Sequence, residues 1–115
     1  MNFNNFTIKS QEAIQKAQEL AVANSNQAIE NVHILKGIMQ VDENVVPFLL
    51  RKLNIDMVVF GKALDKIIDS LPKVSGGDQF LSNEARKALQ KASAYVGEFK
   101  DEFVSIEHIL LGILS

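Results

Sequence analysis

The chain has 115 residues, a net charge of −2, 47% hydrophobic residues and no cysteine, the size and composition of one domain with a real core. Its interspersed charges exclude a disordered tail and leave no basic footprint for nucleic acid or an anionic membrane, and the missing cysteine excludes a disulfide framework and a thiol nucleophile, as suits a reducing cytosol. Met1–Thr7 lacks the apolar run of a signal peptide, and the longest apolar stretches, Val45–Leu50 and Ile109–Leu114, fall far short of the roughly 20 residues of a membrane span.

Those properties describe a soluble, cytoplasmic protein. Two prolines and six glycines are too few for a turn-rich sandwich or barrel, so an all-α fold is expected. Thr7 stands before Ala13, Ile14, Ala17, Leu20 and Ala21, whose spacing is that of one buried helix face. Its hydroxyl is placed to cap that helix. Asn24-Ser25-Asn26 is a polar break, and a second helix is predicted from about Asn31 to Gln40, with Ile34, Leu35, Ile38 and Met39 inward. Asp42-Glu43-Asn44 offers caps, and Pro47 fits the first turn of a short third helix ending near Leu53. Asp56 caps a fourth, with an apolar stripe of Phe60, Leu64, Ile67, Ile68 and Leu71, closed by Pro72. Ser75-Gly76-Gly77-Asp78 reads as a linker.

After the linker the pattern starts again. His108 follows His33 by 75 residues, and the same shift, without a gap, lays Ala88-Leu89-Gln90-Lys91-Ala92 on Ala13-Ile14-Gln15-Lys16-Ala17. It also lays His108-Ile109-Leu110-Leu111-Gly112-Ile113-Leu114 on His33-Ile34-Leu35-Lys36-Gly37-Ile38-Met39, and Ser82 on Thr7. Two long blocks at one shift mark an internal duplication. The chain therefore divides into a first four-helix repeat over 1–72, a linker over 73–79 and a partial second repeat over 80–115. The two units are expected to pack face to face with approximate two-fold symmetry. The second lacks residues matching Val41–Leu71, so the chain reads as a fragment of a longer protein.

The repeated element resembles the Clp repeat over the whole chain, most specifically in Phe6-Thr7 and in Val104-Ser105-Ile106-Glu107-His108-Ile109-Leu110. Asp42–Leu50 and the Leu71–Gly77 linker look most like the disaggregase branch of that family. The resemblance implies a hexameric ATPase parent that threads aggregated proteins through a pore and cooperates with a DnaK-type chaperone. It further implies an N-terminal domain that engages exposed segments of unfolded or aggregated polypeptides. ATP and magnesium would belong to the parent's other domains; no cofactor is expected here, because Gly76-Gly77-Asp78 lacks the Gly-Lys-Ser/Thr ending of a phosphate-binding loop. By the same resemblance, substrate engagement falls on Thr7, Asp101 and Glu107, with an apolar groove drawing on Leu89, Tyr95, Phe99 and His108. A protease-associated branch implies docking of an adaptor protein instead. Another branch reads phosphorylated arginine with a glutamate before the histidine in both repeats; Glu107 keeps that residue, but the first repeat has Val32.

Each of these residues has a plainer reading. Thr7 is first a helix cap, and Glu107 a first-turn carboxylate favoured by the helix dipole. Asp101 reads as a solvated loop residue. Two carboxylates without a nucleophile or a perturbing environment do not make acid–base machinery. His33 and His108 occupy equivalent positions, which favours one packing role used twice over a zinc site. Tyr95 and Phe99 replace Leu20 and Asn24 of the first copy, so the second repeat carries additional aromatic surface.

Overall fold

Local capping chemistry sets where the helices begin. The Thr7 hydroxyl accepts from the Ser10 N–H at 3.1 Å and starts α1 (Ile8–Ala23). After β1 (Ala28–Ile29), α2 (Asn31–Val41) opens where Nδ1 of His33 accepts the Glu30 N–H at 2.9 Å. In α3 (Val45–Lys52), Pro47 sits in the first turn, and the cap is Asp42, which accepts from the N–H groups of Asn44, Val45 and Val46. Asp56 accepts from Val58 and Val59 to start α4 (Met57–Ser70). β2 (Phe80–Leu81) leads into α5 (Asn83–Glu98), capped by Ser82, and α6 (Ile106–Leu114) closes the chain. This computed structural model describes residues 2–115.

The two halves repeat one helical hairpin. Helix α1 packs along α2, and α5 along α6. Both contacts are close because a glycine faces an alanine across each: a Cβ on Gly37 would overlap the Ala13 carbonyl oxygen, and one on Gly112 that of Ala88. Glycine is required at these positions by backbone approach, since both residues lie inside helices. Helix α4 covers α2 in the first half through a cluster of Val32, Leu64 and Ile68.

The halves interlock through two short parallel pairings that the sequence reading did not anticipate. Ile29 pairs with Leu81 in the two-stranded sheet, and Phe6 forms a bridge with Val104. The duplication maps each pair onto the other. So do the hydrogen bonds Thr7 N–H to Val104 O at 2.9 Å and Ser82 N–H to Ile29 O at 3.0 Å. The segment before each repeat's first helix thus pairs with the segment before the other repeat's second helix, which is the expected two-fold relation in atomic detail.

One core fills the space between: Phe6, Ala13, Ile14, Ala17, Ile34 and Ile38 meet Ala85, Leu89, Ala92, Val104, Ile106 and Ile109. The fourth-helix stripe is narrower than expected. Ile67 is 49% exposed, because α4 packs chiefly against α2 and Ile67 lies off the face that meets it.

Candidate functional site

The second repeat's first hairpin ends in an aromatic and acidic corner. Tyr95 and Phe99 lie one turn apart at the end of α5 and therefore share a face. Their rings stack with centroids 5.8 Å apart and planes 11° from parallel. Lys100 then takes φ 58°, a left-handed helix end of the kind that satisfies the last carbonyls: the Lys100 N–H reaches Gly97 O, and the Asp101 N–H reaches Val96 O. That reversal brings the Asp101 carboxylate to 2.9 Å from Nε2 of His108.

Backbone bonding selects the tautomer of His108. Nδ1 of His108 accepts the Ser105 N–H at 2.9 Å, so the ring proton resides on Nε2 and is donated to Asp101. The Phe99 ring lies over the imidazole, with centroids 6.2 Å apart. The first repeat builds the same arrangement: Nδ1 of His33 accepts from Glu30, and Nε2 donates to the Asn26 side-chain oxygen at 2.9 Å. Burial holds the pKa of His33 below its ordinary value, against the opposing pull of the Glu30 charge.

The Ser105 hydroxyl is 2.8 Å from Nδ1 of His108, giving a Ser–His–Asp row. It is not a catalytic triad, because the Nδ1 lone pair that would act as base already holds a backbone N–H. The first repeat achieves the same cap with no serine. Among the described residues no group of three or more His, Cys, Asp or Glu side chains is placed to hold a metal ion.

The structure joins four of the expected residues in one line of contacts: Tyr95 to Phe99, Phe99 to His108, and His108 to Asp101. Phe99 is 53% exposed, and the Asp101 side chain is half-exposed. Thr7 is tied to the same region through its N–H bond to Val104, while its hydroxyl serves Ser10. Two expectations are corrected. Leu89 is fully buried, because it faces the shared core, so it cannot line a groove. His108 is also buried; it supports Phe99 and Asp101 from below.

Glu107 is exposed and faces elsewhere. It lines a depression of about 770 Å³ between α3 and α6, together with Val45, Phe48, Leu49, Leu110 and Leu114. Its α6 wall of Glu107, Leu110, Leu111 and Leu114 corresponds by the duplication to Val32, Leu35, Lys36 and Met39. In the first repeat that face carries α4, through the Val32–Leu64–Ile68 cluster with Leu35 and Met39 and a 3.1 Å ion pair between Lys36 and Asp65. The depression therefore has the form of a helix seat.

Sequence reasoning overlooked Phe103, which is 50% exposed, and the charge of its loop. Residues 98–107 hold Glu98, Asp101, Glu102 and Glu107 against Lys100, whereas the matching 23–32 segment has Glu30 alone. Comparing the two copies position by position would have found both.

Residues 5–115 match the family described as the Clp repeat (R) N-terminal domain. The chain is 55% identical along its full length to 13% of the chaperone protein ClpB of Bacteroides thetaiotaomicron. It is 46% identical, again along its full length, to 13% of that of Porphyromonas gingivalis. The chain thus spans 13% of the length of these curated relatives. Among solved structures, the N-terminal domain of Hsp104 from Candida albicans superposes with a TM-score of 0.87 at 24% identity, over 97% of this chain and 75% of that one. The N-terminal domain of the ClpV1 ATPase from E. coli superposes with a TM-score of 0.87 at 18% identity, over 96% and 68%. At those identities the structural likeness speaks for the fold alone.

Proposed function

The chain belongs to the Clp repeat N-terminal domain family, and from that premise we propose that it is the polypeptide-engaging module of a ClpB-type disaggregase. In this reading it holds exposed apolar segments of unfolded or aggregated proteins weakly and passes them to an ATPase ring. The ring is a homo-hexamer of the parent chain that uses ATP and magnesium in its other domains and works with a DnaK-type chaperone in the cytoplasm.

The observation that carries the proposal is the stack of half-buried Tyr95 on exposed Phe99, braced from beneath by the buried His108 and its bond to Asp101. An aromatic face held rigid by a satisfied hydrogen-bond network offers apolar surface without an ordering cost of its own. Asp101, with Thr7 further out, supplies a polar margin for backbone N–H groups or basic side chains. Two or three apolar side chains offer about 1.5–3 kcal/mol each, and association consumes several kcal/mol. The surplus corresponds to roughly micromolar to millimolar affinity, which suits a module that must release its catch.

Titrating a labelled, permanently unfolded polypeptide is expected to shift the amide and ring signals of Tyr95 and Phe99, and Phe99→Ala to weaken binding. Shifts confined to other surfaces, or unaltered binding by the Phe99 variant, would remove the basis for this assignment. A second reading, docking of a folded adaptor protein, is favoured by the exposed apolar run Leu53, Ile55, Val58 and Val59. It predicts tight binding to one folded partner, lost on Val58→Asp and indifferent to Phe99→Ala.

A further inference from the structure

Of the two short parallel pairings that hold the repeats together, the one beside the linker is anchored to a buried imidazole. On that side the Phe80 N–H donates to Gln27 O at 3.1 Å, and the Val74 N–H to Ser25 O at 2.8 Å. Side chains of the α1–α2 loop grip the linker as well. Asn26 Nδ2 donates to Pro72 O at 3.1 Å, and Gln27 Nε2 to Asp78 O at 3.3 Å. Gln79 Nε2 returns a bond to Asn26 O at 3.0 Å. Asn26 is itself buried, and its side-chain oxygen is held by Nε2 of His33 at 2.9 Å. One amide group thus joins the imidazole to the linker.

His33 holds this position only while it is neutral. Its side chain is fully buried, and its Nδ1 accepts the Glu30 N–H at 2.9 Å. A second ring proton would set N–H against N–H, and among the described residues no acceptor is bonded at Nδ1 to receive it. Taking up that proton therefore requires the ring to leave its bonds. The second repeat is built otherwise. The Ser105 hydroxyl lies 2.8 Å from Nδ1 of His108 and the Asp101 carboxylate 2.9 Å from its Nε2, so an oxygen stands on each side of that ring.

The charges around His33 do not replace the missing acceptor. Burial outweighs the pull of Glu30 and keeps the pKa of the ring below its ordinary value. The buried face of α1 carries no charged side chain. Helix α4 brings Asp65, which is paired with Lys36 at 3.1 Å. The linker brings Asp78 and Lys73, the ammonium of Lys73 being bonded to Asn24 O at 3.1 Å. On the buried faces of α5 and α6 the one titratable group is His108.

We infer that His33 is the catch of an acid-opened clasp: on taking a second proton it releases Asn26, and with it the linker and the β1–β2 pairing, while the Phe6–Val104 pairing stays closed. The repeats are then joined on one side only and can hinge, a freedom that neutral conditions suppress. Once released, the ring regains an ordinary pKa of about 6.5. Opening therefore becomes more favourable as pH falls below that value, by up to about tenfold per pH unit, and levels off below the folded pKa.

The test follows ring and amide signals of the 115-residue chain by NMR between about pH 7.5 and 5. The Val74 and Phe80 amide shifts are expected to move with the midpoint of the His33 ring. After correction for intrinsic rates, the same two amides should exchange with solvent up to about tenfold more readily per pH unit lost. The opening responsible should leave Thr7 and Val104, whose N–H groups make the other pairing, better protected. His33→Gln, which does not titrate, should remove the response. Equal exchange at all four amides would overturn the inference, because it marks unfolding of the whole chain. So would a response that is flat, that follows the His108 ring, or that survives in the His33 variant. Should that variant fail to fold, the two ring midpoints in the parent chain decide by themselves.

Discussion

His108 donates from Nε2 to Oδ2 of Asp101 over 2.9 Å, the bond that His33 makes to the side-chain oxygen of Asn26 in the first repeat. One buried imidazole therefore does the same work twice: its Nδ1 accepts the N–H at the start of a helix, and its Nε2 anchors the loop before that helix. Asp101→Ala removes the acceptor and is expected to destabilise the chain by about 1 kcal/mol, with Phe99 losing its fixed position. Asp101→Asn keeps an acceptor and should cost much less. Urea denaturation midpoints of the two variants decide this, and equal losses would contradict it.

Close approach at the glycines gives a graded set. Gly37→Ala drives a Cβ into the Ala13 carbonyl oxygen and should destabilise by about 1–3 kcal/mol, as overpacking does. Gly112→Ala meets Ala88 in the same way. It is expected to cost less, because α6 ends two residues later and can shift. Gly97, inside α5 with nothing near its missing Cβ, should gain about 0.5–1 kcal/mol as alanine. Thermal unfolding of the three variants should rank them in that order.

His33 carries a pH dependence. Burial lowers its pKa below 6.5, so the folded chain holds it neutral while the unfolded chain takes up a proton. Stability present above about pH 6.5 is therefore lost as pH falls through that value towards the lower folded pKa. The slope can reach about 1.4 kcal/mol per pH unit within the window, and the loss stops below it. His33→Gln, whose side chain does not titrate, should flatten this limb when denaturant midpoints are measured from pH 7.5 to pH 5. An unchanged limb would assign the dependence to other groups.

The two hydroxyl caps are expected to act alike. Thr7→Ala and Ser82→Ala each remove a bond to a first-turn N–H and should each cost about 1 kcal/mol, while Thr7→Ser restores most of it. If Thr7 also contacts bound polypeptide, Thr7→Ser at unchanged stability will alter the amide shifts seen on titration.

Helix starts were legible wherever capping is local. Thr7, Asp42, Asp56 and Ser82 stand at their caps because a side-chain oxygen reaches an N–H only two to four residues away. The duplication was legible for a related reason: the same hairpin demands the same alanines, glycine and histidine at the same spacing. The sheet pairs were not, since strands of two residues carry no periodicity. Nor was the boundary between core and surface on α5, where Leu89 and Phe99 both read as apolar members of one helix.

Alone, the order of residues determined six helices, the caps of four of them and the two-fold repeat, because these depend on contacts within a few positions along the chain or on the same spacing used twice. Only the folded arrangement decided that Leu89 is sealed while Phe99 is open. It also decided that His108 lies beneath Asp101, and that Phe6 meets Val104 as Ile29 meets Leu81. Those outcomes join residues distant in sequence, and side-chain exposure is set by what the other half of the molecule lays against each face.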